Sequence, residues 1–298
     1  MTSSILRPIV VGYDGSPPAC RALAWALEEA RLRKLPVRLV HVYEPAMHSL
    51  ALGYGAMVPS AVLDGIHDKA REVVEQGLVE ARALAPDVEV EGHLVAGTAA
   101  STLLGLSDDA TMLVLGSRGL GGFRGLLLGS VSHQVGVHAK VPVVVLRGDS
   151  AMPAMPGGPV VVGLDGSPAS LEALGFAFDV ASRHGRPLVA LHAWELPVYD
   201  APGVTVPPSI ALEEIEDDEM RVTAEQLAGW CDKYPDVEVE QRIVHGPAER
   251  VMVEATSEAA LLVVGSRGRG GFTGLLLGSV GLAVLHHAHC PVAVVRPG

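Results

Sequence analysis

The chain has 298 residues, 49% of them hydrophobic and 19% charged, enough apolar material for two cores and too much for a disordered polypeptide. Its 22 basic and 34 acidic side chains leave a formal charge of -12, which repels phosphate backbones and anionic lipid, so neither nucleic acid nor a membrane is expected as partner. No apolar run approaches the roughly 18 residues of a membrane span, no basic-then-apolar leader opens the chain, and three widely spaced cysteines (Cys20, Cys231, Cys290) suggest neither a disulfide framework nor a four-thiolate zinc site. A cytoplasmic, reducing setting is expected.

Taken in chain order, short β-branched runs alternate with longer helical patterns, the signature of βαβ units and a parallel sheet. The first half reads as strands at about 8 to 13, 37 to 43, 88 to 95, 111 to 116 and 141 to 147, with helices at about 17 to 34, 61 to 85, 98 to 109 and 129 to 139. Ser16-Pro17 suits a helix start, the hydroxyl capping free N–H groups and the proline fixing φ where no donor is lost. Val88 to Glu91 alternates like a half-exposed edge strand, whereas Thr111 to Leu115 and Val143 to Leu146 read as buried on both faces. Two Gly/Pro-rich stretches, Glu44 to Ser60 and Glu195 to Pro208, exceed ordinary α/β connections and are either lids or surface excursions. The acidic run Glu213 to Glu219 falls in the first turns of a long helix, where it complements the dipole as a solvated face.

The second half repeats the first. Val10 to Pro17 (VVGYDGSP) returns as Val161 to Pro168 (VVGLDGSP) at an offset of 151, and Gly116 to Val131 returns as Gly265 to Val280 at an offset of 149. Those 16 positions differ only at Leu120/Arg269 and Arg124/Thr273. The Gly/Pro-rich segment Gly148 to Gly158 lacks periodicity and reads as a linker, which places one domain at 1–150 and the other at 151–298.

The chemical signal lies in Gly116-x-x-Gly119, nine residues, then Gly129-Ser130-Val131, and in its copy Gly265-x-x-Gly268, nine residues, then Gly278-Ser279-Val280. Each follows a buried strand and leads into a helix, so backbone N–H groups and a helix dipole can converge on an anion. No Gly-Lys-Ser/Thr occurs, and the third glycine of the dinucleotide fingerprint is replaced by Arg124 and Thr273, which excludes both better-known phosphate loops. Gly12-Tyr13-Asp14 and Gly163-Leu164-Asp165 end the first strand of each half, where a carboxylate can accept from adenine or ribose, bind magnesium through water, or serve the turn alone. Arg118 and Arg267 either pair with phosphate or face solvent. His286-His287-x-His289-Cys290 has no counterpart in the first half and reads as a helix end rather than a zinc site, and Trp25, Trp194 and Trp230 read as packing residues.

At these residues the sequence resembles the universal stress protein family, in its tandem-domain, ATP-binding form. The resemblance implies an adenine nucleotide alpha hydrolase-like fold, two open five-stranded parallel sheets in the order 3-2-1-4-5, with ATP and Mg2+ between the first and fourth strands. It implies adenine at the backbone near Val40 and Leu191, a positional match only, and ribose and phosphates at Gly116, Gly119, Gly129, Ser130 and their repeats. It also implies pairing through the last strands, 141–147 and 290–296, giving an intramolecular pseudo-dimer and, between chains, a homodimer. A regulatory, stress-response ATP binder is expected rather than an enzyme; the alternative is a slow nucleotide-hydrolysing or nucleotidyl-transfer enzyme of the same fold. Two departures bear on the sites: Ser132 becomes Gly281, and His133 becomes Leu282. If the Ser132 hydroxyl reaches a phosphate oxygen, one hydrogen bond of about 1 kcal/mol makes the first site roughly fivefold tighter.

Overall fold

The computed structural model describes residues 6–44, 60–120, 128–147, 155–195, 212–269 and 276–297. The chain divides into two compact units between Met155 and Pro156, five residues past the expected boundary. The stretches 45–59 and 196–208 considered as lids, most of the linker, and Arg124 and Thr273 lie outside the described residues.

The first unit runs β1 (Ile9–Gly12), α1 (Pro17–Arg33), β2 (Val37–Tyr43), α2 (Ser60–Leu84), β3 (Val90–Ala96), α3 (Ala99–Gly105), a 3-10 turn (Ser107–Asp109), β4 (Met112–Gly116), α4 (Ser130–His138) and β5 (Val143–Leu146). Its strands lie parallel in the order β3-β2-β1-β4-β5, with Ile9 between Val37 and Met112. The second unit runs β6 (Val160–Leu164), α5 (Pro168–His184), β7 (Leu188–Trp194), α6 (Leu212–Lys233), β8 (Val239–His245), α7 (Ala248–Ala255), β9 (Leu261–Gly265), α8 (Ser279–His287) and β10 (Val292–Val295), in the parallel order β8-β7-β6-β9-β10. The α/β class and the 3-2-1-4-5 order are thus observed in each unit.

Burial explains the arrangement. Ile9, Val10, Val11 and Met112 to Leu115 are sealed on both faces by helices, whereas β3 is half-exposed and outermost. Sealing a Leu, Ile or Val contributes about 1.5–3 kcal/mol each, and the alanine-rich inner faces of α1 and α5 let those helices lie close on the sheet. Trp25 is buried, and Trp230 stacks on Phe178 at 6.0 Å between ring centres. The helix expected at 98–109 stops at Gly105, a weak helix former, and the Ser107 hydroxyl donates to the Leu104 carbonyl at 2.6 Å, favouring the tighter 3-10 turn. The strand expected from 88 starts at Val90 because Val88 closes a turn onto Ala85.

In each unit the strand order reverses between β1 and β4, or β6 and β9, opening a crevice at the carboxyl ends of those strands.

Candidate functional site

The Asp-Gly turn after β1 requires Gly15 at φ +77°, and its copy requires Gly166 at +72°, both in the left-handed region that disfavours side chains. The turn aims the Asp14 carboxylate at two backbone donors: Oδ1 accepts from Ser16 N at 3.0 Å and Oδ2 from Leu120 N at 2.9 Å. Asp165 repeats this with Ser167 N at 3.0 Å and Arg269 N at 2.9 Å. Ser16 and Ser167, which cap α1 and α5, also donate to the Arg118 and Arg267 carbonyls at 3.4 and 3.1 Å. The aspartate and the serine therefore latch the β1 turn to the glycine loop. Burial alone would raise the Asp165 carboxyl, but hydrogen bonds from Ser167 and from the Arg269 N–H bring it below the ordinary carboxylate range.

This latch assigns the loop glycines a role beyond making room for a phosphate. A Cβ on Gly119 would fall on Asp14 Oδ2, and one on Gly268 would fall on Asp165 Oδ2. At Gly116 a Cβ would come within 2.6 Å of the Pro18 carbonyl carbon, and at Gly265 within 2.7 Å of that of Ala169, so these glycines let α1 and α5 reach the strand ends.

The loop returns at Gly129, whose N–H donates to the Ser117 carbonyl at 2.7 Å, and at Gly278, bonded to Ser266 at 2.8 Å. Neither glycine offers a side-chain cap, so α4 and α8 begin with the N–H groups of their first turns open to a ligand. Ser132 departs from the expectation placed on it. Its hydroxyl is buried and gives its one proton to the Gly116 carbonyl at 2.6 Å, leaving none for a phosphate oxygen. Gly281 replaces it where a Cβ would meet Leu277 at 2.7 Å. The first-site advantage argued from Ser132 loses its basis.

Each crevice holds a cavity, about 540 Å³ in the first unit and about 530 Å³ in the second, within the size range of small-ligand sites. Every first-half candidate, from Gly12, Asp14 and Val40 through the loop to Ser132, lines the first cavity. In the second half all candidates line the cavity except Leu191, which is buried within the sheet; Ala193, two residues on, takes its place on the same strand face. Arg118 and Arg267 border the cavities with exposed side chains.

Several lining residues escaped the sequence reading. Val42 and Leu103 supply apolar wall in the first cavity, and Met252 stands at the position of Leu103 in the second. His41 also lines the first cavity, its Nδ1–H donating to the Tyr13 carbonyl at 2.8 Å; His192 makes the same bond to Leu164 at 2.7 Å, while its Nε2 faces Glu219 at 3.2 Å. Alignment of the halves at offset 151 places these histidines opposite each other, a signal that was available. Of the acidic run of α6, Glu216 to Asp218 are exposed as expected, while Glu219 turns toward His192. The second cavity contains Glu249, which the repeat comparison pairs with Ala100. Among the described residues no group of three or more His, Cys, Asp or Glu could hold a metal ion, and no helix is long and apolar enough to cross a membrane.

An apolar slot beside β2 or β7, a polar turn, and an uncapped helix start behind a glycine loop together suit a flat heteroaromatic group joined to an anionic chain. The sequence model described as "Universal stress protein family" matches residues 6–147 and again 158–296. A universal stress protein of Mycobacterium tuberculosis is 42% identical over 293 residues, covering 97% of this chain and 96% of its own. One from Mycolicibacterium smegmatis is 41% identical over 296 residues, with 97% of each chain covered. The crystal structure of a universal stress protein from Archaeoglobus fulgidus, 23% identical, shares the fold with a TM-score of 0.70 over 98% of this chain and 96% of that one.

Proposed function

The chain belongs to the universal stress protein family, and from that premise we propose that it is a regulatory adenine-nucleotide binder with one ATP site in each domain. The observation that carries this reading is the recurrence, in both units, of an apolar slot facing an uncapped helix start across a latched glycine loop. Adenine occupies the slot between Val40, Val42 and Leu103, and between Ala193 and Met252 in the second unit. Ribose hydroxyls donate to the lone pairs that Asp14 and Asp165 retain after accepting their backbone bonds. Phosphates take the N–H groups at Ser130, Val131 and their repeats, with Arg118 and Arg267 alongside, and Mg2+ arrives with the nucleotide.

Signalling rather than turnover is the proposed role. Asp14 and Asp165 are committed to backbone N–H groups and are poorly placed as general bases, while His41 stands on β2 at the adenine end. Hydrolysis should then run well below about 1 per second, the low end of ordinary turnover. Phosphate release at that rate, abolished in Asp14→Asn, would establish the slow hydrolase instead. A cytoplasmic setting and pairing through the last strands, within the chain and between chains, belong to the same proposal. That Cys20 and Cys231 form no disulfide supports the former, and the β-branched composition of those strands the latter. Native mass spectrometry of the purified chain tests the main reading: retained ATP or ADP supports it, and a chain that neither retains nor takes up adenine nucleotide refutes it.

A further inference from the structure

The two cavities differ at the helix start where the anion is to sit. Ser279, the first residue of α8, shares the second cavity with Glu249, in the first turn of α7. The Ser279 side chain, followed by the backbone N–H of Glu249, holds the Glu249 carboxyl below the usual range against a smaller effect of burial, so it is ionised at neutral pH. In the first unit the equivalent position is Ala100, which offers Ser130 no acceptor.

Neighbouring charges do not cancel this difference. Arg250, the next residue, points outward and pairs with Glu254 at 2.8 Å. Arg269, which replaces Leu120, lays its guanidinium over the Gly166 turn beside Asp165. Arg267 borders the cavity, with half-buried Arg296 near it, and Glu195 adds a further carboxylate just past β7. The first cavity sets Asp14 against Arg118; the second sets Asp165, Glu195 and Glu249 against Arg267 and Arg269.

We propose that Glu249 sets the phosphate preference of the second site, so that this domain holds an adenine nucleoside monophosphate in preference to the triphosphate while the first domain takes ATP. The inference rests on the adenine-nucleotide reading above. A carboxylate in the cavity at the start of α8 repels each added phosphate charge. Repulsion between like charges about 4 Å apart near a protein surface is enough for at least a tenfold loss of ATP affinity. AMP carries fewer charges than uncomplexed ATP and suffers less. A chain built this way responds to the ratio of the two nucleotides rather than to ATP alone.

Calorimetry of the full chain with ATP and with AMP, with Mg2+ removed by EDTA, tests this in the wild type and in Glu249→Gln and Glu249→Ala. The wild type should show two ATP sites differing at least about tenfold, and both variants should tighten the weaker one about tenfold while AMP affinity stays within about twofold. The wild type needs no variant to fold: equal ATP affinities at its two sites overturn the inference. So does a weaker site that either variant leaves unchanged, or one that tightens equally for AMP. A wild-type chain that binds neither nucleotide at any site overturns the adenine-nucleotide reading as well, which separates the two failures.

Discussion

Gly119→Ala is the smallest change that separates a glycine needed by the fold from one needed only by a ligand. The added methyl falls on Asp14 Oδ2, so the carboxylate must leave the loop N–H of Leu120, and its hold on Ser16 N is strained. Hydrogen bonds to a charged acceptor contribute about 1.5–3 kcal/mol each, and the exposed Leu120 end belongs at the lower limit. The first unit should therefore lose about 1.5–3 kcal/mol, together with its ATP site. Asp14→Ala should cost a similar amount, and in that background Gly119→Ala should cost little more, because the obstructing carboxylate is gone. The coupling energy in the double-mutant cycle should therefore be about 1–3 kcal/mol. Denaturant unfolding followed by fluorescence with Trp194 and Trp230 replaced by Phe, so that Trp25 alone reports, reads the first unit, and Gly268→Ala with Asp165→Ala, read with Trp25 replaced instead, provides the same cycle in the second. Additive losses in both units would refute the latch.

Ser132→Ala should remove a buried O–H···O bond and destabilise the first unit by about 1–2 kcal/mol in chemical denaturation while changing its ATP affinity less than about twofold; a fivefold loss of affinity would return Ser132 to the phosphates. Lys34 ends α1 at φ +57°, where Gly185 ends α5 at +59°, so Lys34→Gly should stabilise the first unit by about 0.5–1 kcal/mol in the same unfolding assay. Asp165 has its pKa lowered in the folded state, so its contribution is present above the unfolded value near pH ~3.9 and is lost as pH falls through the folded value. Acid unfolding of Asp165→Asn should accordingly show a shallower pH dependence below about pH 4 than the wild type, and an unchanged slope would contradict the assignment.

Strand and helix positions were legible because burial on both faces writes itself as unbroken apolar runs, as in Met112 to Leu115, and the duplication doubled every signal. Boundaries shifted where a side chain competed with the backbone, as the Ser107 hydroxyl does at the end of α3. The glycine loop could be recognised from spacing, but its mechanics could not: that Gly119 faces a carboxylate rather than only a ligand depends on where the Asp14 side chain turns. Ser132 was misread for a related reason, since first-turn hydroxyls point either outward to a ligand or back to the preceding strand, and only the coordinates distinguish Gly116 O from a phosphate. Leu191, a match by position alone, shares a strand face with Ala193 but lies buried within the sheet, and it is Ala193 that lines the cavity. Glu249 went unnoticed because it lies outside the conspicuous repeats, in the part of the halves that has diverged most.

Isothermal titration of nucleotide-free chain with ATP tests the central claim most directly. Two molecules bound per chain, falling to one in Gly119→Val and to one in Gly268→Val, is the predicted result; one or none in the wild type would contradict it.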